Sequence, residues 1–435
     1  MKNLIETLKN IWKIEELRNR ILTTLGFLLI YRLGSFVALP GIDPQQLDAL
    51  QNQTSDGLLG LLNMFTGGAF SQASIMALGI MPYISASIVI QLMTMAVPYL
   101  QKLQKDGESG RTKISQITRY LTVLITCFQA PGYIANLKAT LPAEAFLLSS
   151  GSFWFSSIVI LVTGTMFAMW LGEKITDRGI GNGISLLIMV GIIASLPQAF
   201  LFEVGRANPL IILVELLILL VVILASVLLV QGVRRIPIQY AKRGASAQIA
   251  AARQYLPLKV NASGVMPIIF AQAIMFIPIT FAGLSESESV QNFVAIFSDF
   301  SGFWYNFVFA LLIILFTYFY TAITVNTNQM ADDLKRNGGF VPGVKPGKDT
   351  AGFLDGVMSR IVLPGSVFLA FIAILPAFAM NAGVNQSFAQ FFGGTSLLIM
   401  VGVVLDTLQQ IEGYLLNRHY DGLMKSGRLS GRSGM

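Results

Sequence analysis

The sequence predicts an all-α polytopic membrane protein with ten transmembrane helices. Of its 435 residues, 54% are hydrophobic and only 12% are charged, whereas soluble domains carry about 25% charged residues. Long apolar runs, such as 210–231 and 304–325, alternate with short polar patches, which is typical of a chain that crosses a membrane repeatedly. A third observation is that lysine and arginine cluster in alternate connections between these runs.

Each crossing of a hydrocarbon core about 30 Å thick requires roughly 20 helical residues. The first apolar run is expected to be a retained span, because no small-residue cleavage site follows it. The predicted spans are 21–40, 76–97, 117–137, 153–172, 183–203, 210–231, 262–283, 304–325, 361–380 and 394–416.

The basic residues predict which connections face the cytoplasm, where lysine and arginine accumulate. Of the 30 basic residues, all except Arg32, Lys138 and Arg206 lie before the first span, after spans two, four, six and eight, or after the last. This asymmetry predicts ten crossings with both termini in the cytoplasm.

The rare residue types exclude most enzyme and metal chemistry. The chain has one cysteine, Cys127, and one histidine, His419, so it can form neither an internal disulfide framework nor a His/Cys metal cluster. A Ser–His–Asp arrangement would depend on His419, which follows the last apolar run in a basic tail and is interpreted as solvated. Cysteine and histidine therefore give little support to an enzyme.

One stretch fits neither a loop nor a span. Residues 57–101 form 45 consecutive uncharged positions, too few for three crossings and too many for one. The chain must cross once here to reach Lys102 on the cytoplasmic side, which leaves about 18 residues over. We expect this remainder, rich in glycine and serine, to enter the protein without crossing, and the true span to begin at Met81–Pro82. The alternative is an amphipathic helix on the outer surface.

Two long cytoplasmic connections, 231–261 and 326–360, are predicted to be projections. The first contains VRRIPIQYAKR and RQYLPLKV, which suggest a β-hairpin; the second has a short helical pattern followed by the stiff tip PGVKPG around Lys345. Loops longer than about 12–15 residues are usually functional or disordered, so we predict a docking surface for a cytosolic partner. For the basic residues of 102–119, contact with anionic lipid is a plausible alternative.

Two further features are ambiguous. DRGIGNG at 177–183 lacks a preceding strand and a Walker lysine, so it is predicted to be a tight turn rather than a nucleotide loop. The acids within or near the spans are Glu215, Asp406 and Glu412. Asp406 either has a functional role or pairs with a neighbouring helix.

Six motifs follow one another over nearly the whole chain: GIMPYISASIVIQLM, KDGESGRTKISQITRYLT, LVTGTMFAMWLGEKITDRGIGNGIS, LPLKVNASGVMPIIFA, GGFVPGVKPGKDT and FGGTSLLIMVG. Together they resemble the SecY family, the channel subunit of the bacterial protein translocon. The resemblance implies a passive protein-conducting channel and not an enzyme, with no catalytic residue, metal site or cofactor. Such a channel passes unfolded polypeptides and releases transmembrane segments sideways into lipid through a lateral gate between spans two and three and spans seven and eight.

The resemblance also implies an architecture and its site residues. Two inverted halves, 1–205 and 206–435, would surround an hourglass pore. The waist would be an apolar ring that dewets and blocks ions, formed by Ile84, Ile88, Ile184, Ile188, Ile269 and Ile399. A plug at about 61–74 would close the outer side; its assigned residues are Leu61, Asn63, Met64, Phe65, Gly67, Gly68, Phe70 and Ser74.

The implied partners are SecE and SecG as small membrane subunits, the motor ATPase SecA and the ribosome, with a YidC-type insertase and SecDF as further candidates. Substrates would be signal peptides and nascent polypeptides, with membrane lipids around the channel and no nucleic-acid specificity beyond ribosomal contact. The implied location is the bacterial cytoplasmic membrane. The cytosolic contacts would be Arg234, Arg235, Arg336, Lys345 and Lys348. Lys345 departs from the family's usual arginine and lacks its bidentate fork.

Two other classes of function stay open at this point. A secondary transporter is compatible with inverted repeats and with Asp406, although a network of charges at the midplane is missing. A scaffold or insertase without a pore is the third hypothesis, and it predicts that polar secretory substrates never cross.

Overall fold

The computed structural model describes residues 12, 14–47, 50, 60, 63–240, 254–282 and 301–426, and most of them are helical. The helices are α1 (Glu15–Gly34), α2 (Met81–Ala96), α3 (Pro98–Lys105), α4 (Gly107–Thr140), α5 (Ser150–Arg178), α6 (Gly183–Arg206), α7 (Pro209–Gln231), α8 (Met266–Ala282), α9 (Phe303–Thr324), α10 (Thr327–Arg336), α11 (Lys348–Asn381), α12 (Gln386–Ala389) and α13 (Gly394–Ser426). A helix lies at each of the ten predicted spans.

Not all of these helices have the composition of an isolated span. Within the described residues, six helical stretches are long and apolar enough to cross a membrane. Five of them are α5, α6, α7, α11 and α13, and the sixth is Phe303–Arg336, which comprises α9 and α10. The bent pair α2–α3 would make a seventh. The helices α1 and α4 carry more charged and polar side chains, and α8 has only 17 residues.

The two predicted projections are joined by a small antiparallel sheet. Strand β1 (Val233–Tyr240) pairs with β2 (Gln254–Lys259), which confirms the predicted hairpin, although its tip at 241–253 lies outside the described residues. The sequence did not predict a third strand, β3 (Gly339–Phe340), which comes from the second projection and pairs with the other edge of β1. The fold is therefore helical with one three-stranded sheet outside the spans.

The chain divides into two compact units, one formed by residues 1–197 and 403–435, the other by 198–402. In the first unit, α4 packs against α2 and α5, and α1 packs against α5. Its main apolar core joins α4 and α5 to residues 39–50 and 70–77.

In the second unit, α11 packs against α7, α9 and α10, and α8 packs against α9. A separate apolar core lies beneath the sheet and includes Ile236, Leu258, Val341 and Leu354. The hairpin and the start of α11 are therefore held together by buried side chains.

Proline sets the boundaries of α2. Pro82 occupies the first turn, where a missing backbone N–H is not a loss. At the other end, Val97 is extended because it precedes Pro98, and the helix stops at Ala96. The prediction that the span begins at Met81–Pro82 is confirmed.

Candidate functional site

The uncharged stretch before α2 is a buried, irregular segment. Residues 63–65 are helical and 66–80 are a continuous series of turns with one isolated bridge, and the chain enters α2 directly at Met81. Among the predicted plug residues, Met64, Phe65, Phe70 and Ser74 are buried. The described part of the stretch has no helix long enough to span. Leu61 lies outside the described residues.

Asn63 closes the first loop of this segment. Its carbonyl oxygen accepts from the Gly68 N–H at 2.8 Å, and its side-chain Oδ1 accepts from the Ser71 N–H at 3.0 Å. Gly67 and Gly68 have φ values of +66° and +87°, which glycine adopts without steric cost. The two glycines that the sequence singled out therefore make a tight reversal of the chain.

Three parts of the first unit form the walls around the segment. The extended residues after α1 bind its backbone, because the Leu39 N–H donates to Ala73 O at 2.8 Å. From α4, the Tyr133 hydroxyl donates to Phe70 O at 2.8 Å while the two rings pack 4.7 Å apart. On α5, Gly164 allows close approach, since a Cβ there would lie 2.0 Å from the Ile75 carbonyl oxygen.

Two contacts to Gly67 were missed by the sequence analysis. The Arg32 guanidinium of α1 donates a hydrogen bond to Gly67 O and lies over the Phe36 ring at 4.9 Å. Gly191 of α6 touches the same reversal, because a Cβ on Gly191 would lie 2.7 Å from Phe65 O and 3.0 Å from Gly67 N. Arg32 had a signal in the sequence, as a basic residue outside the cytoplasmic clusters; Gly191 had none.

The first unit carries four of the six predicted ring isoleucines. Ile84 and Ile88 share one face of α2, and Ile184 and Ile188 share one face of α6, since each pair is four residues apart. Ile88 and Ile188 are buried, and the other two are half-buried. Gly191 is seven residues after Ile184, so the face of α6 that presents the isoleucines also contacts the buried segment.

The second unit carries Ile269 and Ile399, which lie at the same level of an antiparallel helix pair. Gln272 Oε1 of α8 and Thr395 Oγ1 of α13 are 3.5 Å apart, and a Cβ on Gly402 would lie 3.3 Å from Val265 Cγ2. These two contacts bracket the isoleucines on both helices. Ile399 is buried and Ile269 is half-buried.

The basic residues of the first projection lie on a supported strand. Arg234 and Arg235 are exposed on β1, opposite Leu258 and Pro257 of β2, while the next residue, Ile236, points into the core. Both arginines are exposed, and as consecutive strand residues they point to opposite faces of the sheet.

The three predicted contact residues of the second projection are all exposed. Arg336 lies at the end of α10, Lys345 at the tip and Lys348 at the start of α11. The tip is closed by the buried Thr350, whose hydroxyl donates to Lys345 O at 2.8 Å. Gly343, with φ of +83°, provides a turn before the lysine. Lys345 is therefore presented on an ordered turn.

The structure shows the surroundings of the two features that were ambiguous in the sequence, the segment 177–183 and Asp406. The predicted tight turn at 177–183 is confirmed. The Gly181 N–H donates to Gln410 Oε1 at 2.9 Å, and the Ile180 N–H donates to Thr24 Oγ1 at 3.0 Å.

Asp406 is exposed on α13 and has no salt bridge in the described structure, so it forms no buried pair with a neighbouring helix. The described residues contain no group of His, Cys, Asp and Glu that could hold a metal ion.

Comparisons with known proteins identify the family of the chain. A sequence model of the SecY family matches residues 74–408. The protein translocase subunit SecY of Escherichia coli strain K12 is 43% identical over 426 residues, which cover 96% of each chain.

Solved structures have the same fold. A structure described as the plug domain of the SecY protein stabilising the closed translocation channel has a TM-score of 0.60 at 18% identity, over 92% of each chain. Sec61 in the canine ribosome–channel complex has a TM-score of 0.56 at 16% identity, over 92% of this chain and 93% of that one. The predicted polytopic helical membrane fold is confirmed, and the chain belongs to the SecY family, a family of protein-conducting channels and not of enzymes.

Proposed function

We propose that this channel is closed at rest by two elements, the ring of six isoleucines and the plug at residues 61–74. The observation that carries this proposal is the seating of Gly67 against Gly191, on the α6 face that carries Ile184 and Ile188. An apolar constriction expels water and therefore stops ions. Branched aliphatic side chains can also spread around any polypeptide, because they make no sequence-specific hydrogen bonds.

The contacts of the plug are suited to reversible displacement. Its backbone is bound by a few hydrogen bonds, from Arg32, Leu39 and Tyr133, and each contributes only about 0.5–3 kcal/mol net. A polypeptide entering the pore would replace these contacts with its own.

Transmembrane segments would leave the channel sideways, through a lateral gate between spans two and three and spans seven and eight. Transfer of an apolar segment into lipid is favourable, since each leucine contributes a few tenths of a kcal/mol at the helix centre. The two halves of the clamp are assigned to 1–205 and 206–435. This part of the proposal rests on membership of the family.

The exposed basic residues of the two projections are assigned to partner binding. Structural relatives include Sec61 in a ribosome–channel complex and the Ssh1 complex bound to the yeast ribosome, so the ribosome is the first proposed partner. SecA is proposed as a motor on the same surface, with SecE and SecG as membrane subunits and a YidC-type insertase and SecDF as further partners. Ribosomal RNA phosphates or acidic side chains would complement Arg234, Arg235 and Lys345.

The protein spans a membrane repeatedly, and we assign it to the bacterial cytoplasmic membrane with both termini cytoplasmic. The distribution of basic residues supports this orientation. The projections then face the cytoplasm, where the proposed partners are found.

Reconstitution tests the function against its rivals. The protein, purified with its membrane subunits, is placed in proteoliposomes with SecA and ATP, and an unfolded secretory polypeptide is added outside. We expect the polypeptide to become protected from protease. Ion-gradient-driven uptake of a small solute without other proteins would favour a secondary transporter, and the absence of any protected polypeptide would favour a scaffold without a pore.

Charge reversal at the tip is expected to weaken partner binding. The substitution Lys345→Glu replaces an exposed cation with an anion and should raise the Kd for the ribosome or for SecA about tenfold, since contacts of close charge pairs across an interface couple by about 1.5 kcal/mol or more. The measurement is binding to reconstituted channels at two salt concentrations. Lys345→Arg is the control and should bind at least as tightly as the natural chain; equal Kd values for all three chains would remove Lys345 from the contact.

A further inference from the structure

A groove in the second unit is lined by none of the residues assigned to the ring, the plug or the projections. It forms between α7 and the end of α11, has a volume of about 400 Å³, and is bounded at one end by Ala382, Val384 and Phe392. Its lining is apolar except for one carboxyl group, Glu215. Apolar pockets with a single polar group are typical binding sites, because that group fixes the orientation of what binds.

One carboxyl oxygen of Glu215 lacks a hydrogen-bond partner among the described residues. Its side chain is 6% exposed, and Oε2 has no hydrogen-bond partner. The neighbouring Glu203 is already used, because its Oε2 accepts from the Asn385 N–H at 2.9 Å. The other charged neighbour, Arg206, is exposed and forms no salt bridge with either carboxylate in the described structure. A buried carboxyl oxygen is thus left without a partner, and Glu215 could be ionised at this site only if a cation from another molecule paired with it.

The depth of Glu215 determines which cation can reach it. Helix α7 has 23 residues and is about 35 Å long, so centring it on a 30 Å hydrocarbon core leaves about 2 Å at each end. Glu215 is the seventh residue and lies about 9 Å along the helix, or about 7 Å inside the hydrocarbon. A lipid ammonium group would have to leave the headgroup layer to meet it, whereas a side chain of a second helix can be at that depth already.

The lining of the groove is also suited to a helix. The small residues Ala379, on α11, and Ala382, just after it, line the groove beside Phe378, and on α7 the exposed Ile211 and Ile218 flank Glu215. Small residues permit close backbone approach between membrane helices, and polar side chains hold such pairs together.

We propose that this groove binds a transmembrane helix of a partner protein, and that a lysine or arginine within that partner's span pairs with Glu215. The proposal requires only that the chain spans a membrane, so it stands or falls separately from the ring and the plug.

Photocrosslinking in native membranes tests the proposal with the full complex present. A photoreactive residue replaces Ile218, which lines the groove, or Leu217, which is exposed but does not line it. We expect position 218 to yield a peptide from a partner's span that contains a lysine or arginine, and position 217 to yield mainly lipid adducts. Substitution Glu215→Gln should lower the yield at 218 about tenfold or more, because it leaves the partner's charge buried and unpaired.

A charge exchange completes the test. Glu215→Lys should abolish the crosslink, and changing the partner's basic residue to glutamate should restore it. The matched control Leu217→Gln introduces an amide on the exposed face and should leave the crosslink at 218 unchanged. Lipid adducts alone at 218, no polypeptide adduct, a crosslink that does not respond to Glu215→Gln, or a failure of the exchange would each overturn the proposal.

Discussion

Substitution of Gly191 by leucine is expected to displace the plug and to make the resting channel leak ions. A Cβ at this position would lie 2.7 Å from Phe65 O and 3.0 Å from Gly67 N, and both atoms belong to backbone that cannot move aside cheaply. Overpacking of this kind costs about 1–3 kcal/mol, which shifts the balance between the seated and displaced plug about 5- to 150-fold. Ion conductance of single channels in planar bilayers measures the result.

The control for this substitution lies on the same helix. A Cβ on Gly205 would meet no atom within 4 Å, so Gly205→Leu makes the same change in composition without touching the plug and should leave the resting conductance unchanged. A Gly191→Leu channel as tight as the natural one would show that the contact of α6 with residues 65–67 does not keep the channel closed.

Substitution of Ile399 by asparagine is expected to wet the proposed constriction. Ile399 is 4% exposed, and an amide in an apolar ring retains water that isoleucine excludes. The resting ion current should rise at least about tenfold, for which a barrier lower by about 1.4 kcal/mol is sufficient. The current is also compared between Gly191→Leu and Gly191→Leu/Ile399→Asn channels, because a seated plug would mask a wetted ring.

The matched control uses the same helix and the same new residue. Val404 is exposed on α13, and Val404→Asn should leave the current at its resting value. Leakage that Ile399→Asn changes neither in the natural chain nor in the Gly191→Leu background would exclude Ile399 from the ring.

The spans could be predicted from the sequence because their signal is local. Each apolar run is long enough to be recognised from hydropathy alone, and a helix lies at each of the ten predicted positions. The helix ends could not be predicted as well. Helices α4 and α11 extend beyond their predicted spans, over Gly107–Thr140 and Lys348–Asn381. Polar helical turns outside the bilayer leave no mark in a hydropathy pattern.

The third strand was not predictable by the same means. Gly339 and Phe340 are too short a segment to have a periodicity of their own, and they become a strand only by pairing with Tyr240 and Gln239 of β1. The hairpin partner β2 was predictable, since its six residues alternate and lie close in sequence.

The candidate site could be predicted only in part. The spacing of Ile184 and Ile188 places them on one helix face, but spacing alone does not separate a pore from a core, and their assignment came from the family resemblance. The glycines at 67 and 68 were recognised as breaks in an apolar run. Their contacts with Arg32 and Gly191 depend on long-range packing, which no local pattern records.

Crosslinking of a stalled secretory chain tests the central claim most directly. In a Cys127→Ser background, which removes the only cysteine, single cysteines are placed at Ile84, Ile188 or Ile399, and at the exposed Leu224 of α7 as control. A translocating polypeptide with one cysteine in its middle is then halted in the channel. We predict disulfide crosslinks from positions 84, 188 and 399 and none from 224. Crosslinks absent from all three isoleucine positions, while the stalled chain is demonstrably inserted, would contradict the conducting path proposed for this protein.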